Sequence, residues 1–600
     1  MPLLAMLVFV SGCNTKHYRL EANKVAYGII DEAQRQALGK VEPFTIEPPA
    51  DTLRRRLLLD QNLPVSGPES LGARDLPRIA HWPEDDYPPP PQSRPAELPD
   101  PVVLTLLDAL QVAAANNRDY QSRKEDLFRA ALTLDLQANQ FRNLWDTALS
   151  SNYQANRRGD DPVRGLTSSA EPSWRRRLVN GTLLTADFAV DLANLLSADR
   201  ASSWGVLGDA TISVPLLRGS GRHIVTEPLT QAERDVVYSL FTFERFKSVL
   251  VVRVASDYLG ALQQLDQVRN AEENYRGLIV STRRALHLYD AGRLPQIQVD
   301  QARQDELRAR DRWISAQQAY VRSLDTLKGT LGLPTDAEIA LDRTELENLT
   351  GVAVGEIAQT ESLDAEARAD DPVELVPVDP RGGPLEIDER RAIEIALANR
   401  VDLQTALGQV YDAQRKVVVA ADSLRAELTL TGSASVGERR SGAGANQPDA
   451  EFRVRRGLYA AGVLLDLPLE RTAERNDYRN SLINLDRALR SAQALEDQVK
   501  LEIRNNLRSL LSARESYNIQ LQAVEIAQRR VQSTALFLEA GRAEIRDVLD
   551  AQEALISAKN SLTSAKVTYR LAELGMQRDM GVLEVDEKGI WREYTPETAQ

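Results

Sequence analysis

A single cysteine in 600 residues, Cys13, excludes any disulfide within the chain. The four histidines, His17, His81, His223 and His287, are scattered without metal-ligand spacing. There is no phosphate-binding glycine loop, no dinucleotide fingerprint and no nucleophile elbow. These absences argue against an enzyme and predict neither a metal site nor a bound cofactor. Past the N-terminus no segment offers 18 uninterrupted apolar residues, so a membrane-spanning helix is excluded. Any membrane crossing would have to use β-strands, whose signal is only a weak alternation. The formal net charge of −14 argues against a nucleic-acid partner.

What is present begins with an address. Leu3 to Val10 form an apolar run too short to span a bilayer, followed by Val10-Ser11-Gly12-Cys13. The spacing resembles a bacterial lipobox, which implies a signal peptide over 1–12 and a covalent lipid on Cys13. By the same likeness, Asn14 after the cysteine implies delivery to the outer membrane.

The body of the chain says the same thing twice. Residues 108–120 (DALQVAAANNRDY) return as 391–403 (RAIEIALANRVDL), 214–218 (VPLLR) as 467–471 (LPLER), and 289–293 (YDAGR) as 538–542 (LEAGR). Three matched blocks in one order mean a duplicated unit, and the long period excludes a solenoid. The first repeat covers 102–341 and the second 389–583. Around them lie a tether over 13–101, proline-rich at its end, an acidic connection over 342–388, and a polar tail over 584–600.

Each repeat reads as helix, strand hairpin, very long helix, tight turn and long helix. Leu428, Leu430, Gly432, Ala434 and Val436 alternate with Thr429, Thr431, Ser433 and Ser435, and Tyr459, Ala461, Val463 and Leu465 share one face. Such strands suit a wall between lipid and water, and equally an ordinary sheet with one wet face. The hairpin of the first repeat holds 30 extra residues, and Leu184, Ala186, Phe188 and Val190 leave open an additional strand over 182–192. No proline interrupts Arg471 to Leu538. Ile503, Leu510, Tyr517, Val524, Val531 and Leu538 recur every seven residues, as do Val548, Leu555, Leu562, Tyr569 and Met576 beyond the turn. Ala551, Ala558, Ala565 and Ala572 interleave with the latter, a coiled-coil seam that permits close approach. The heptads alone fit a solvated coiled-coil stalk as well.

The lipobox, the duplication, the hairpins between helices and the turn Glu539-Ala540-Gly541-Arg542 followed by Asp547-Val548-Leu549-Asp550-Ala551-Gln552 resemble TolC-type outer-membrane efflux proteins. The resemblance covers about 102–341 and 386–583. It implies a mainly α fold with a small β part. Three protomers would form one α-barrel continuing into a 12-strand transmembrane β-barrel, four strands from each chain. It implies an outer-membrane exit duct with a long periplasmic helical part, coupled through a periplasmic adaptor protein to an inner-membrane pump for efflux or type I secretion. Gly292, Arg293, Gly541 and Arg542 would then mark tip turns that meet the adaptor, and Asp547 and Asp550 a periplasmic gate ring. The aligned positions in the first repeat are Gln298 and Gln301. The competing expectation is a lipid-anchored periplasmic coiled-coil scaffold without a pore.

Overall fold

The computed structural model describes residues 14–47, 49, 51–89, 101–156, 163–196, 201–348, 383–441, 445–467 and 469–594. The apolar leader, Cys13, the proline-rich end of the tether, most of the acidic connection and residues 595–600 lie outside these.

Helices α1 (Thr15–Leu38) and α2 (Leu53–Asp60) precede the first repeat. That repeat runs β1 (Val102–Leu104), α3 (Leu106–Asn116), α4 (Arg118–Asn139), β2 (Leu144–Asn156), β3 (Val163–Arg177), β4 (Leu183–Leu195) and β5 (Ser202–Pro215). It continues through a short α5 (Arg222–Val225), the 64-residue α6 (Glu227–Asp290), α7 (Gln296–Leu331) and β6 (Ile339–Leu341). A short α8 (Thr344–Asn348) follows. The second repeat runs α9 (Glu389–Asn399), α10 (Val401–Ser423), β7 (Glu427–Glu438), β8 (Leu458–Asp466), the 68-residue α11 (Thr472–Glu539) and α12 (Ile545–Met580). Strands β9 (Glu584–Val585) and β10 (Trp591–Arg592) end the described chain.

The duplication is visible in the backbone chemistry. Thr105 caps α3, its hydroxyl accepting from the Asp108 N–H at 3.1 Å. At the matching position Asp388 caps α9, accepting from the Arg390 and Arg391 N–H groups at 3.0 and 3.3 Å. Each cap contributes about 1 kcal/mol by satisfying amides that a helix start leaves orphaned. Both repeats then break the helix at one residue, Asn117 and Arg400, where the backbone turns extended. Helices α7 and α12 also end alike, at Gly332 and Gly581 in the left-handed region.

The described chain divides into two units. The first comprises 1–41, 126–240 and 405–493; the second comprises 42–125, 241–404 and 494–600. Within the first, α1 is folded rather than a free tether. Ala26, Ile30 and Ala33 recur at helical spacing and are buried, and Tyr27 tilts against Phe128 with ring centroids 5.4 Å apart. The second unit holds α2, in which Leu57 and Leu58 are buried, and Arg55 ties Asp75 through two hydrogen bonds of 2.8 and 3.1 Å. The tether reading of 13–101 is thus corrected for these segments: short apolar stripes diluted by charge were enough to fold them.

The second unit is helical with a parallel β1–β6 pair. Its core joins Val499, Ile503, Leu507, Leu510, Tyr569, Met576 and Met580 to Ala392 and Ala396. Of the expected heptad positions it holds Ile503, Leu510, Tyr569 and Met576, each large side chain contributing about 1.5–3 kcal/mol by leaving water. Among the described residues no helix is long and apolar enough to cross a membrane.

The sheet of the first unit has six strands in the order β2-β3-β4-β5-β7-β8, every described neighbour pair antiparallel. This corrects the expectation of four strands from each chain. The 30 extra residues of the first repeat supply a complete second hairpin, with β4 over the segment left open and β3 unforeseen. Three copies of this sheet would bring eighteen strands, not the 12 expected from the resemblance.

Candidate functional site

Register sorts the sheet into two chemically distinct faces, since partners across a ladder share a face. One face carries Trp145, Leu149 and Tyr153 of β2, Leu166 and Trp174 of β3, and Leu184, Phe188 and Val190 of β4. It continues through Val206, Ile212 and Val214 of β5, Leu428 and Leu430 of β7, and Val463 and Leu465 of β8. The other carries Ser150, Asn152, Ser169, Glu171, Thr185, Asp187, Asp191, Asp209, Thr211, Thr431, Ser433 and Ser435. Hydroxyls pair across the polar face, Ser150 with Ser169 at 2.7 Å and Thr185 with Thr211 at 2.5 Å.

The apolar face is open. Trp145 is 75% exposed, Tyr153 60%, Trp204 51%, Tyr459 55% and Val463 67%. Each aromatic side chain carries ~150–250 Å², so the four rings alone approach the few hundred Å² that soluble monomers leave uncovered. A face this apolar demands lipid or another protein. The strands run 9 to 15 residues, long enough to cross a hydrocarbon layer when tilted. The outer strands β2 and β8 have no neighbour on one side among the described residues. Open edges are not tolerated in lipid.

The two helix turns of the second unit are built alike. The Gly292 N–H donates to the Tyr289 carbonyl at 2.8 Å, and the Arg293 N–H to Leu288 at 2.8 Å. In the second repeat Gly541 donates to Leu538 at 3.1 Å and Arg542 to Phe537 at 2.8 Å. This is a Schellman closure, whose left-handed residue is Gly292 at φ +66° and Gly541 at φ +68°. Arg293 and Arg542 are exposed. Beneath the turns Leu278, Ala285, Val299, Ala302, Ala309, Ile545 and Leu549 form one buried cluster, so the two turns sit on a common base.

Asp547 and Asp550 are both exposed on the first two turns of α12. Asp547 also acts locally, its carboxylate accepting from the Glu544 N–H at 2.9 Å as one half of a capping box. Asp550 lies 3.8 Å from the Arg546 guanidinium, an exposed i,i+4 pair. Both carboxylates are thus exposed on the same two turns, while Gln298 and Gln301 leave the first repeat uncharged there. Sequence reasoning missed one feature of the helices, an uncovered stripe. Leu307, Ile314 and Val321 on α7 recur every seven residues and are 59%, 47% and 48% exposed. This second heptad register was legible in principle, since the same spacing marks the covered seam.

Comparison with known proteins agrees with this geometry. No family model and no curated protein matches the chain by sequence. Solved structures do match by fold. The outer membrane channel CmeC of Campylobacter jejuni is 14% identical, with a TM-score of 0.53 over 82% of this chain and 88% of that one. The open state of the outer membrane channel MtrE of Neisseria gonorrhoeae is 13% identical, with a TM-score of 0.51 over 80% and 89%. The outer membrane protein VceC of Vibrio cholerae is 13% identical, with a TM-score of 0.52 over 79% and 96%. In fold, the chain is similar to the TolC-type outer-membrane efflux channels.

Proposed function

We propose that this chain is a passive exit duct of the bacterial outer membrane, not an enzyme, assembled as a homotrimer. The observation that carries the reading is the six-stranded sheet with one exposed apolar face and one polar face. Three copies close the β2 and β8 edges into an eighteen-stranded barrel, with lipid against the apolar face and water inside. Barrels of 16–18 strands leave an aqueous channel, so the lumen is wide at this level. The uncovered heptad on α7 is the matching surface for helices of the adjacent copy.

In the same reading the helices continue the duct through the periplasm. The turns at Gly292-Arg293 and Gly541-Arg542 form the tip and receive a helical hairpin of a periplasmic adaptor. Through it the duct is coupled to an inner-membrane pump, which supplies the energy for efflux or type I secretion. Cys13 carries the lipid that anchors the N-terminus in the outer membrane. Asp547 and Asp550 of three chains form the narrow ring at the periplasmic end. Like charges in a narrow ring favour cations. Arg546, 3.8 Å from Asp550, offsets part of that field.

Single-channel conductance of the purified full-length protein in planar bilayers tests the reading. The expected result is a small cation-selective conductance that grows in the double variant Asp547→Ala/Asp550→Ala. Conductance indifferent to the substitutions discards the ring and keeps the duct. Intact, inserted oligomers that never conduct would point instead to a scaffold without a pore.

A further inference from the structure

The polar face of the sheet is not uniformly open. Asp187 and Thr211 on it are exposed, whereas farther along the same face Asp191, Ala193 and Ser203 are only 1%, 0% and 0% exposed. The segment after β7 closes over Asp191, at the end of the sheet away from α4 and α10. Arg439 grips Asp191 with two parallel hydrogen bonds, Nε at 3.2 Å and Nη2 at 3.1 Å, and also pairs with Glu171. The Arg440 N–H donates to the same Asp191 carboxylate at 3.1 Å. Gly205, the partner of Asp191 across the ladder, has no side chain to lift the segment: a Cβ there would stand 2.5 Å from the Arg440 nitrogen.

The return path is fixed as well. The Arg440 guanidinium donates to the Pro448 carbonyl at 2.8 Å. The Trp204 N–H donates to the Asp449 carboxylate at 2.8 Å, and the Ala450 N–H to the Trp204 carbonyl at 2.8 Å. Phe452 then crosses to the apolar face, where its ring lies 6.1 Å from that of Phe188. The segment is therefore clamped on both sides, by Arg439 and Arg440 after β7 and by Asp449, Ala450 and Phe452 on the return. A bidentate guanidinium–carboxylate pair on a nearly fully buried aspartate is among the stronger polar contacts a protein makes.

We infer that residues 439–441 and 445–452, after β7, form an inward-folded constriction at the outer mouth of the duct, latched to the wall by Arg439 on Asp191 and Glu171. The inference rests on the duct reading, because the polar face is the lumen wall only in a closed barrel. Three copies place three latches around one opening, so Arg439 sets how wide the outer mouth is and adds positive charge to its lining. Asp191 is a positioning residue that acts through Arg439 and the Arg440 backbone.

The test uses the full-length protein with Ser203→Cys as a reporter beneath the segment, read by a hydrophilic maleimide and by single-channel conductance. The reporter should be protected while the latch is intact. It should become labelled in Arg439→Gln and in Asp191→Asn, and both should raise conductance. The charge changes are opposite, so cation selectivity should rise in Arg439→Gln and fall in Asp191→Asn. The double variant should conduct no more than either single one. Should Asp191→Asn fail to assemble, Arg439→Gln carries the test alone. Labelling of Ser203→Cys with the latch intact overturns the covering segment. Labelling on release with unchanged conductance, in a protein that conducts, overturns the constriction and leaves the duct. Absence of conductance in every form overturns the duct reading itself, and the constriction with it.

Discussion

Gly292 and Gly541 matter for their backbone. An added Cβ would meet nothing within 4 Å at either position, so the cost of a side chain there is conformational alone. Left-handed backbone costs an ordinary residue about 1–2 kcal/mol. Gly541→Ala should therefore loosen the second turn by that amount. Hydrogen exchange at the Arg542 amide should quicken roughly 5- to 30-fold, the ratio those energies correspond to. An unchanged rate would mean the Schellman closure does not hold the turn. The turn residues were legible because the glycine–arginine pair stands twice at the end of a helix. The capping role of Asp547 was legible only as an acidic residue near a helix start; the hydrogen bond to Glu544 shows that its charge also stabilises α12.

A second residue-level consequence concerns acid. Burial would raise the Asp579 carboxyl, but hydrogen bonds from Arg578 and Asn506 and the charges of Arg578 and Arg245 outweigh burial and hold it below its ordinary 3.8. The Arg245 contact measures 2.9 Å and the Asn506 contact 2.7 Å. A depressed carboxyl contributes stability above its unfolded value and loses that contribution as pH falls through the folded one. Denaturant midpoints should accordingly drop as pH is lowered through 3.8 and below. Asp579→Asn should lower the midpoint at neutral pH and flatten this acid slope. A parallel slope in the variant would assign the acid sensitivity elsewhere.

Elements show where sequence reading ran short. Strands β7 and β8 announced themselves by alternation, and β4 did so in half its length. Strand β3 did not, because Thr167-Ser168-Ser169 and Arg175-Arg176-Arg177 carry no apolar alternation and Pro172 stands in its middle. Proline lacks the N–H that a central strand needs. The ladder accommodates it by omission: β3 pairs with β4 up to Ala170↔Val190 and resumes at Ser173↔Asp187. The face assignment is testable within one hairpin. Val463→Lys places a charge on the apolar face, at a cost of about 2–4 kcal/mol near the middle of a bilayer. Ser433→Lys places it on the polar face at little cost. Membrane-fraction yield should collapse for the first and hold for the second, and equal yields would undo the assignment of lipid and water to the two faces.

At the scale of the molecule, the repeat explains why so much was legible. Matched caps at Thr105 and Asp388, matched breaks at Asn117 and Arg400 and matched turns all sit at positions the duplication brings into register. The hairpin inserted in one repeat alone has no second copy to reveal it, and it changes the strand count. Closure of the sheet predicts that β2 of one protomer pairs with β8 of the next. Cysteines introduced as pairs, one in each edge strand, should on oxidation give covalent species that stop at three chains. Ladders that stop at two, or never exceed one, would contradict a trimeric barrel.

The central claim is a closed, water-filled duct, and electron cryo-microscopy of the assembled protein in lipid nanodiscs tests it most directly. The account predicts three chains around one axis and eighteen strands with Trp145, Tyr153 and Tyr459 facing lipid. It also predicts a lumen lined by the polar face and continuous with the space between the helices. A sheet that stays open, or helices packed about a solid core with no lumen, would contradict it.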